Sequence, residues 1–178
     1  ESLLPLQNGL TVILANEEEQ NNQVLLNELC LKNKVNIIQT TPSRMKKLTA
    51  DVEYCSYFKY ITDILVGGEP FPNTLLEKLK KIAHTNNTKI YNVYGPTETA
   101  VWSTVKNLTN TSIINIGKPI SNTSIYVLDN ATRRLLPKGM VGNLFIGGSG
   151  VCAGYHKRDD LNETLFTKNK YNFRELIY

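Results

Sequence analysis

The texture of this chain shifts near residue 104, from strands alternating with helices to short strands and turns, and that shift limits its folds more than anything else in it. Up to residue 103, apolar runs of strand length alternate with stretches of helical spacing. Thr11–Ala15, Val35–Gln39 and Tyr60–Val66 read as strands, the last ending at Gly67-Gly68. Asn22–Lys32 reads as a helix with Leu25, Leu26 and Leu29 on one side, and Pro42 opens a short helix through Leu48. Pro72–His84 is amphipathic, with Leu75, Leu76, Leu79, Ile82 and Ala83 on one face and Lys78, Lys80 and Lys81 turned to water. Strands that alternate with helices need crossover connections, which favour a parallel sheet covered by helices. Beyond Ser103, short strands such as Ser124–Leu128 and Asn143–Ile146 are separated by turn formers: Asp129-Asn130, Pro137-Lys138-Gly139 and Gly147-Gly148. Helical spacing returns only at Asp159–Phe166. The expected fold is α/β: a mostly parallel sheet flanked by helices over 1–103, then a small β-rich, barrel-like subdomain over 104–178. The boundary is expected near Thr104–Asn110.

A length of 178 residues suffices for one domain or two small subdomains with a real core. The chain opens on Glu1 rather than methionine and stops at Leu176-Ile177-Tyr178 in mid-pattern, so both ends read as cuts in a longer polypeptide. A net charge of +4, with basic residues scattered among sixteen acidic ones, gives no basic stripe for nucleic acid. Cys30, Cys55 and Cys152 are odd in number and far apart, which suits a reducing compartment. No signal-peptide pattern or membrane-length apolar run occurs, so a cytoplasmic location is expected. Triplets such as Asn107-Leu108-Thr109 and Asn162-Glu163-Thr164 follow from the abundance of asparagine. His84 ends an amphipathic helix and His156 lies in a turn, so neither reads as catalytic.

Chemistry concentrates in Tyr91-Asn92-Val93-Tyr94-Gly95-Pro96-Thr97-Glu98-Thr99. The stretch Thr88–Asn92 reads as a strand, and the Gly-Pro turn after it delivers polar groups to the carboxyl edge of the sheet, where open α/β folds bind ligands. Tyr94 offers a π-face for a base, a contact worth about 1–3 kcal/mol. Gly95-Pro96 fixes a tight turn and lets backbone approach a ligand. Thr97 can donate to a phosphate oxygen. Glu98 is a hard oxygen ligand of the kind magnesium accepts beside phosphates and water. Tyr-Gly-Pro alone is equally ordinary turn chemistry.

The string Asn92–Glu98 resembles the signature of the acyl-adenylate-forming, AMP-binding enzymes, and within them the amino-acid adenylation domains of nonribosomal peptide synthetases. Leu65-Val66-Gly67-Gly68-Glu69-Pro70 is similar to that family's strand-to-helix turn beside the adenine. Gly117–Asp129 is similar to a segment of the peptide-synthetase branch, and Gly142–Tyr155 to the family's glycine-rich strand-turn motif. This last motif departs from the pattern at Asn143, where an acidic residue is usual, and at Ala153, where a basic one is common. The resemblance puts the phosphate loop before Glu1, the ribose-binding aspartate after Tyr178, and the carboxy-terminal domain with its lysine outside the chain.

What the resemblance implies is an ATP- and Mg²⁺-dependent ligase that makes an aminoacyl adenylate and passes it to the phosphopantetheine thiol of a carrier-protein domain. Carried over position by position, Asn92 would meet the adenine amino group and Tyr94 would stack on the ring. Gly67, Gly68 and Glu69 would run their backbone along the base, with Gly95 in the turn beside it. Thr97 would contact the α-phosphate and Glu98 would help hold the metal. The amino-acid pocket would be lined by Gln39, Leu65, Gly67, Val93, Val101 and Trp102, favouring a medium-sized, mostly apolar side chain. Two structural readings stay open: Trp102 as a core residue, and Gly67-Gly68 as a plain turn. A standalone acyl- or aryl-acid ligase is the nearest alternative, and a nucleotide-binding or interaction module without turnover is another. The 178 residues by themselves are expected to be inactive.

Overall fold

The computed structural model describes residues 3–83, 87–172 and 176–178. By compactness the chain forms two units, one of Glu1–Tyr91 with Asn107–Ile113, the other of Asn92–Lys106 with Ile114–Tyr178.

The first unit begins with helices α1 (Leu3–Gln7), α2 (Glu17–Asn21) and α3 (Gln23–Lys32). Sequence spacing predicted a strand at Thr11–Ala15, but these residues are irregular, with Leu10 and Leu14 exposed and no strand pairing to them among the described residues. The acidic run after them is a helix, because Asn16 and Glu19 close a capping box at its start. Asn22 then caps α3 by accepting from the Val24 and Leu25 N–H groups. The strand that Val35–Gln39 predicts, whose apolar run reads as buried, is β1 (Ile37–Thr40), and it is half-exposed. Helix α4 (Pro42–Leu48) starts at the proline, with Thr41 as its cap. The predicted strand at Tyr60–Val66 is shorter: residues Val52–Tyr60 form 3-10 turns, and β2 spans Asp63–Gly67.

Strands β1 and β2 run parallel, with Gln39 opposite Leu65. Helix α5 (Asn73–Ala83) buries Leu75, Leu76, Leu79 and Ala83, the face its spacing predicts. Two of its lysines do more than face water. Lys78 Nζ donates to Ala50 O at 3.3 Å, and Lys80 Nζ to Thr111 O at 2.8 Å. His84 lies outside the described residues. Strand β3 (Lys89–Tyr94) starts beside β2, where Lys89 N donates to Thr62 O at 2.8 Å. The core of this unit is Met45, Tyr57, Phe58, Ile61, Ile64, Val66, Leu79, Ile90 and Leu108.

In the second unit the end of β3 lies beside β4 (Thr104–Asn107), through Ser103 N donating to Tyr94 O at 2.8 Å. Strand β5 (Lys118–Pro119) pairs antiparallel with β4, so the sheet is mixed here. A second, wholly antiparallel sheet follows: β6 (Thr123–Leu128), β7 (Asn143–Gly148), β8 (Thr167–Lys168) and β9 (Leu176–Ile177), in the order β6-β7-β9-β8. Helix α6 (Asp159–Leu165) falls between β7 and β8. Leu128, Phe145 and Ile177 make a small core with Tyr126 packed on it, and the Arg133 guanidinium lies 4.7 Å from the Phe145 ring centre. The α/β organisation followed by a small β-rich part is therefore as the sequence predicts.

Candidate functional site

Strand β3 is covered on both faces near its end, where the adjacent Asn92 and Val93 are both buried, and Tyr94 emerges exposed. The Asn92 amide nitrogen donates to Asn115 O at 2.9 Å, which orients the side chain. The chain then reverses, and Gly95 makes the reversal possible. A Cβ on Gly95 would stand 2.5 Å from Val101 O, 2.7 Å from Ser103 N and 2.8 Å from Trp102 Cα. Residues Thr97–Thr99 form one 3-10 turn capped by Pro96. Ala100 and Val101 follow with φ of 59° and 74°, left-handed values unusual for residues bearing a Cβ. Inside the turn the Thr99 and Ser103 hydroxyls share a hydrogen bond of 2.6 Å. Thr97 and Val101 are exposed, Trp102 is half-buried, and its buried indole nitrogen has no acceptor among the described residues. Tyr94 and Pro96 line an open cleft of about 500 Å³ whose other walls include Phe145, Ile146 and Tyr178.

Glu98 is held from both ends. Its carbonyl oxygen accepts from the Cys152 N–H at 2.8 Å. Its carboxylate oxygen Oε1 accepts from the Tyr155 hydroxyl. The Tyr155 hydroxyl first, then the Glu98 backbone N–H and the Tyr178 hydroxyl, keep the Glu98 carboxyl below the usual carboxylate range against the opposing effect of desolvation. The hydrogen bond to Glu98 first, and that to Tyr178 next, push the Tyr155 phenol well above its ordinary value. Glu98 is thus an anion and Tyr155 a neutral donor at neutral pH. Among the described residues no group of three or more His, Cys, Asp or Glu side chains converges on one point. A fixed carboxylate suits magnesium, which takes one or two carboxylates and fills its octahedron with phosphate oxygens and water.

Tyr155 was not foreseen as a site residue. It stands 57 positions from Glu98 in a motif notable for its glycines, and no spacing rule links the two.

The sites expected in the first unit lie around the end of β2. Gln39 and Leu65 are half-buried on paired positions, and Gly67 is the last, buried residue of the strand. Gly68 has φ of 86°, and a Cβ there would meet only Thr41 Cγ2, at 3.8 Å. Its backbone angle, rather than crowding within this unit, requires glycine. The Glu69 carboxylate accepts from Ser43 Oγ at 2.5 Å and Ser43 N at 3.0 Å. Ser43, through its hydroxyl and then its N–H, holds Glu69 below the usual carboxylate range. This side chain is engaged at the start of α4, which leaves its backbone as the part available to a ligand.

The family model of the AMP-binding enzymes matches residues 1–156. The chain belongs to the AMP-binding enzyme family. It is 36% identical over 174 residues to a dimodular nonribosomal peptide synthase of Bacillus subtilis (strain 168), covering 96% of this chain and 7% of that protein. It is 30% identical over 175 residues to gramicidin S synthase 2 of Aneurinibacillus migulanus, covering 98% of this chain and 4% of the relative. A crystal structure of a holo four-domain nonribosomal peptide synthetase bound to AMP and glycine superposes with a TM-score of 0.83 at 33% identity. That match covers 98% of this chain and 13% of the synthetase. Among the described residues no helix is long and apolar enough to cross a membrane.

Proposed function

We propose that this chain is part of an adenylation domain that activates an amino acid with ATP for nonribosomal peptide synthesis. The observation that carries the proposal is the β3 turn, where Tyr94 and Thr97 are exposed and Glu98 is fixed as an anion within five positions. Identity to peptide synthetases along nearly the whole chain supports the same reading. The substrate carboxylate attacks the α-phosphate and pyrophosphate leaves. A carrier-bound phosphopantetheine thiol then attacks the acyl carbon of the adenylate, forming the thioester and releasing AMP.

Most of the catalysis in such a transfer is positioning and charge stabilisation. In this reading Tyr94 stacks on the adenine, and Asn92 meets its amino group with the amide oxygen. Gly67, Gly68 and Glu69 offer backbone to the base, and Gly95 keeps the turn tight enough to present its neighbours. Thr97 donates to the α-phosphate. Glu98 holds Mg²⁺, which when bound neutralises phosphate charge. Gln39, Leu65, Gly67, Val93, Val101 and Trp102 line the amino-acid pocket, and their apolar majority selects a medium-sized apolar side chain.

The test is amino-acid-dependent ATP–pyrophosphate exchange by the complete polypeptide that carries these residues. Exchange is expected with one or a few apolar amino acids. Exchange confined to acids without an α-amino group would reassign the chain to acyl- or aryl-acid activation. No exchange with any carboxylate would overturn adenylation.

A further inference from the structure

Tyr155 is fixed at three points. Its N–H donates to Asn162 Oδ1 at 2.7 Å and its carbonyl accepts from Asn162 Nδ2 at 2.9 Å, so one amide on α6 clamps both sides of its backbone. Its ring meets Phe166 edge-on, with centroids 5.7 Å apart. Gly154, just before it, has φ of 123°, and a Cβ there would stand 2.7 Å from Asn162 Oδ1. Only glycine lets this clamp close. The far end of the arrangement is the Glu98 carboxylate, while the Cys152 N–H binds the Glu98 carbonyl from the same loop.

We propose that Tyr155 is a positioning residue for Glu98, holding its carboxylate in the orientation that receives the divalent cation. The inference rests on the proposed reading of Glu98 as the metal-holding carboxylate. A glutamate on an open turn samples several rotamers, and a metal site must suppress that freedom. A phenol suits the task, because it orients the carboxylate without neutralising it as a lysine or arginine would. Each carboxylate oxygen has more than one acceptor site, so donation from Tyr155 leaves Glu98 able to ligate. The glycine-rich loop after β7 thereby contributes a side chain to the metal site, in addition to its backbone turns.

The test uses the complete polypeptide and Tyr155→Phe, which removes the hydroxyl and keeps the ring against Phe166. Mn²⁺ is titrated into enzyme with a non-hydrolysable ATP analogue and followed by its EPR signal. The Mg²⁺ dependence of pyrophosphate exchange is measured alongside. Tyr155→Phe is expected to weaken Mn²⁺ binding and raise the half-saturating Mg²⁺ concentration about tenfold, the scale of losing a ligand-orienting partner. Affinity for the analogue without metal should stay within about twofold. A loss of thermal stability with unchanged metal dependence would make Tyr155 merely structural and overturn the proposal.

Glu98→Gln separates this inference from the reading beneath it. If Glu98→Gln leaves Mn²⁺ binding intact, Glu98 is no ligand and both fail. If it weakens binding while Tyr155→Phe does not, only the positioning role fails. In the Glu98→Gln background Tyr155→Phe should add nothing, and a full further loss would refute the coupling. Asn162→Ser, which opens the clamp but spares the hydroxyl, should shift the metal dependence in the same direction; no shift would also count against the proposal.

Discussion

Gly95→Ala isolates steric crowding from backbone strain at the turn that presents Tyr94 and Glu98. Gly95 is not among the glycines with positive φ, so alanine meets no conformational penalty there. The whole effect comes from a methyl at 2.5 Å from Val101 O, 2.7 Å from Ser103 N and 2.8 Å from Trp102 Cα. All three atoms are backbone and cannot swing aside as a side chain would. Forcing one methyl into such a space costs about 1–3 kcal/mol. Displacing Ser103 also endangers its 2.8 Å bond to Tyr94 O, worth about 1 kcal/mol. Against this, alanine restricts the unfolded chain and returns about 0.4–1 kcal/mol. The net expectation is a destabilisation of about 2 kcal/mol. Trp102 is the one tryptophan in the chain and touches the inserted methyl through its Cα, so its fluorescence during urea unfolding reads the turn directly. Gly139→Ala is the matching control, because nothing lies within 4 Å of its Cβ position but φ is 97°. It should cost about 1 kcal/mol by strain alone. An unchanged or raised unfolding midpoint for Gly95→Ala, with Trp102 emission unshifted, would refute the steric argument.

Glu98→Ala in the complete polypeptide should lower pyrophosphate exchange by about two to three orders of magnitude, the scale of one lost transition-state electrostatic contact; a loss below about tenfold removes the metal role. Tyr57→Phe should stabilise the fold by up to about 1 kcal/mol, since the buried Tyr57 hydroxyl has no partner among the described residues; a clear drop in thermal midpoint would show that the hydroxyl is bonded. Burial raises the Cys30 thiol to about 11. A thiol raised in the folded state favours folding fully below its unfolded value of about 8.5, and that contribution disappears as pH rises through the folded value. Cys30→Ala should therefore flatten the alkaline limb of the stability curve, and an unaltered limb would contradict this.

Elements with local signals were legible in the sequence. Pro42 and Thr41 mark the start of α4, and the leucine spacing of α5 marks its buried face, because caps and periodicity act within one or two turns. Thr11–Ala15 misled because apolar composition resembles a strand even where no neighbouring strand supplies hydrogen bonds. Tyr60–Val66 reads too long at its start because Tyr60, Ile61 and Thr62 favour strands in isolation, yet Tyr60 ends the 3-10 turns and β2 begins only at Asp63. At the site, the Asn92–Glu98 string announced itself through residue types that suit a magnesium nucleotide. Its partners did not. The ties from Asn115 to Asn92 and from Tyr155 to Glu98 exist only once distant segments meet.

The backbone between Glu98 and β4 explains why so many ties converge there. Ala100 and Val101 both hold left-handed φ values, which cost residues with a Cβ about 1–2 kcal/mol each, and Val101 is β-branched as well. A free loop would relax such strain. This one is pinned on both sides: Ser103 N bonds Tyr94 O, Trp102 N bonds Ala100 O at 3.0 Å, and Thr99 bonds Ser103 in the buried interior of the turn. Cys152 holds the Glu98 carbonyl from a separate segment. Strain that survives in an over-determined turn points to a constraint beyond stability. Of the turn's polar side chains Thr97 is exposed and Glu98 half-buried, and Glu98 is further fixed through its carboxylate. The strained return and the tyrosine tie thus meet at one group, as the proposed metal-holding role of Glu98 requires.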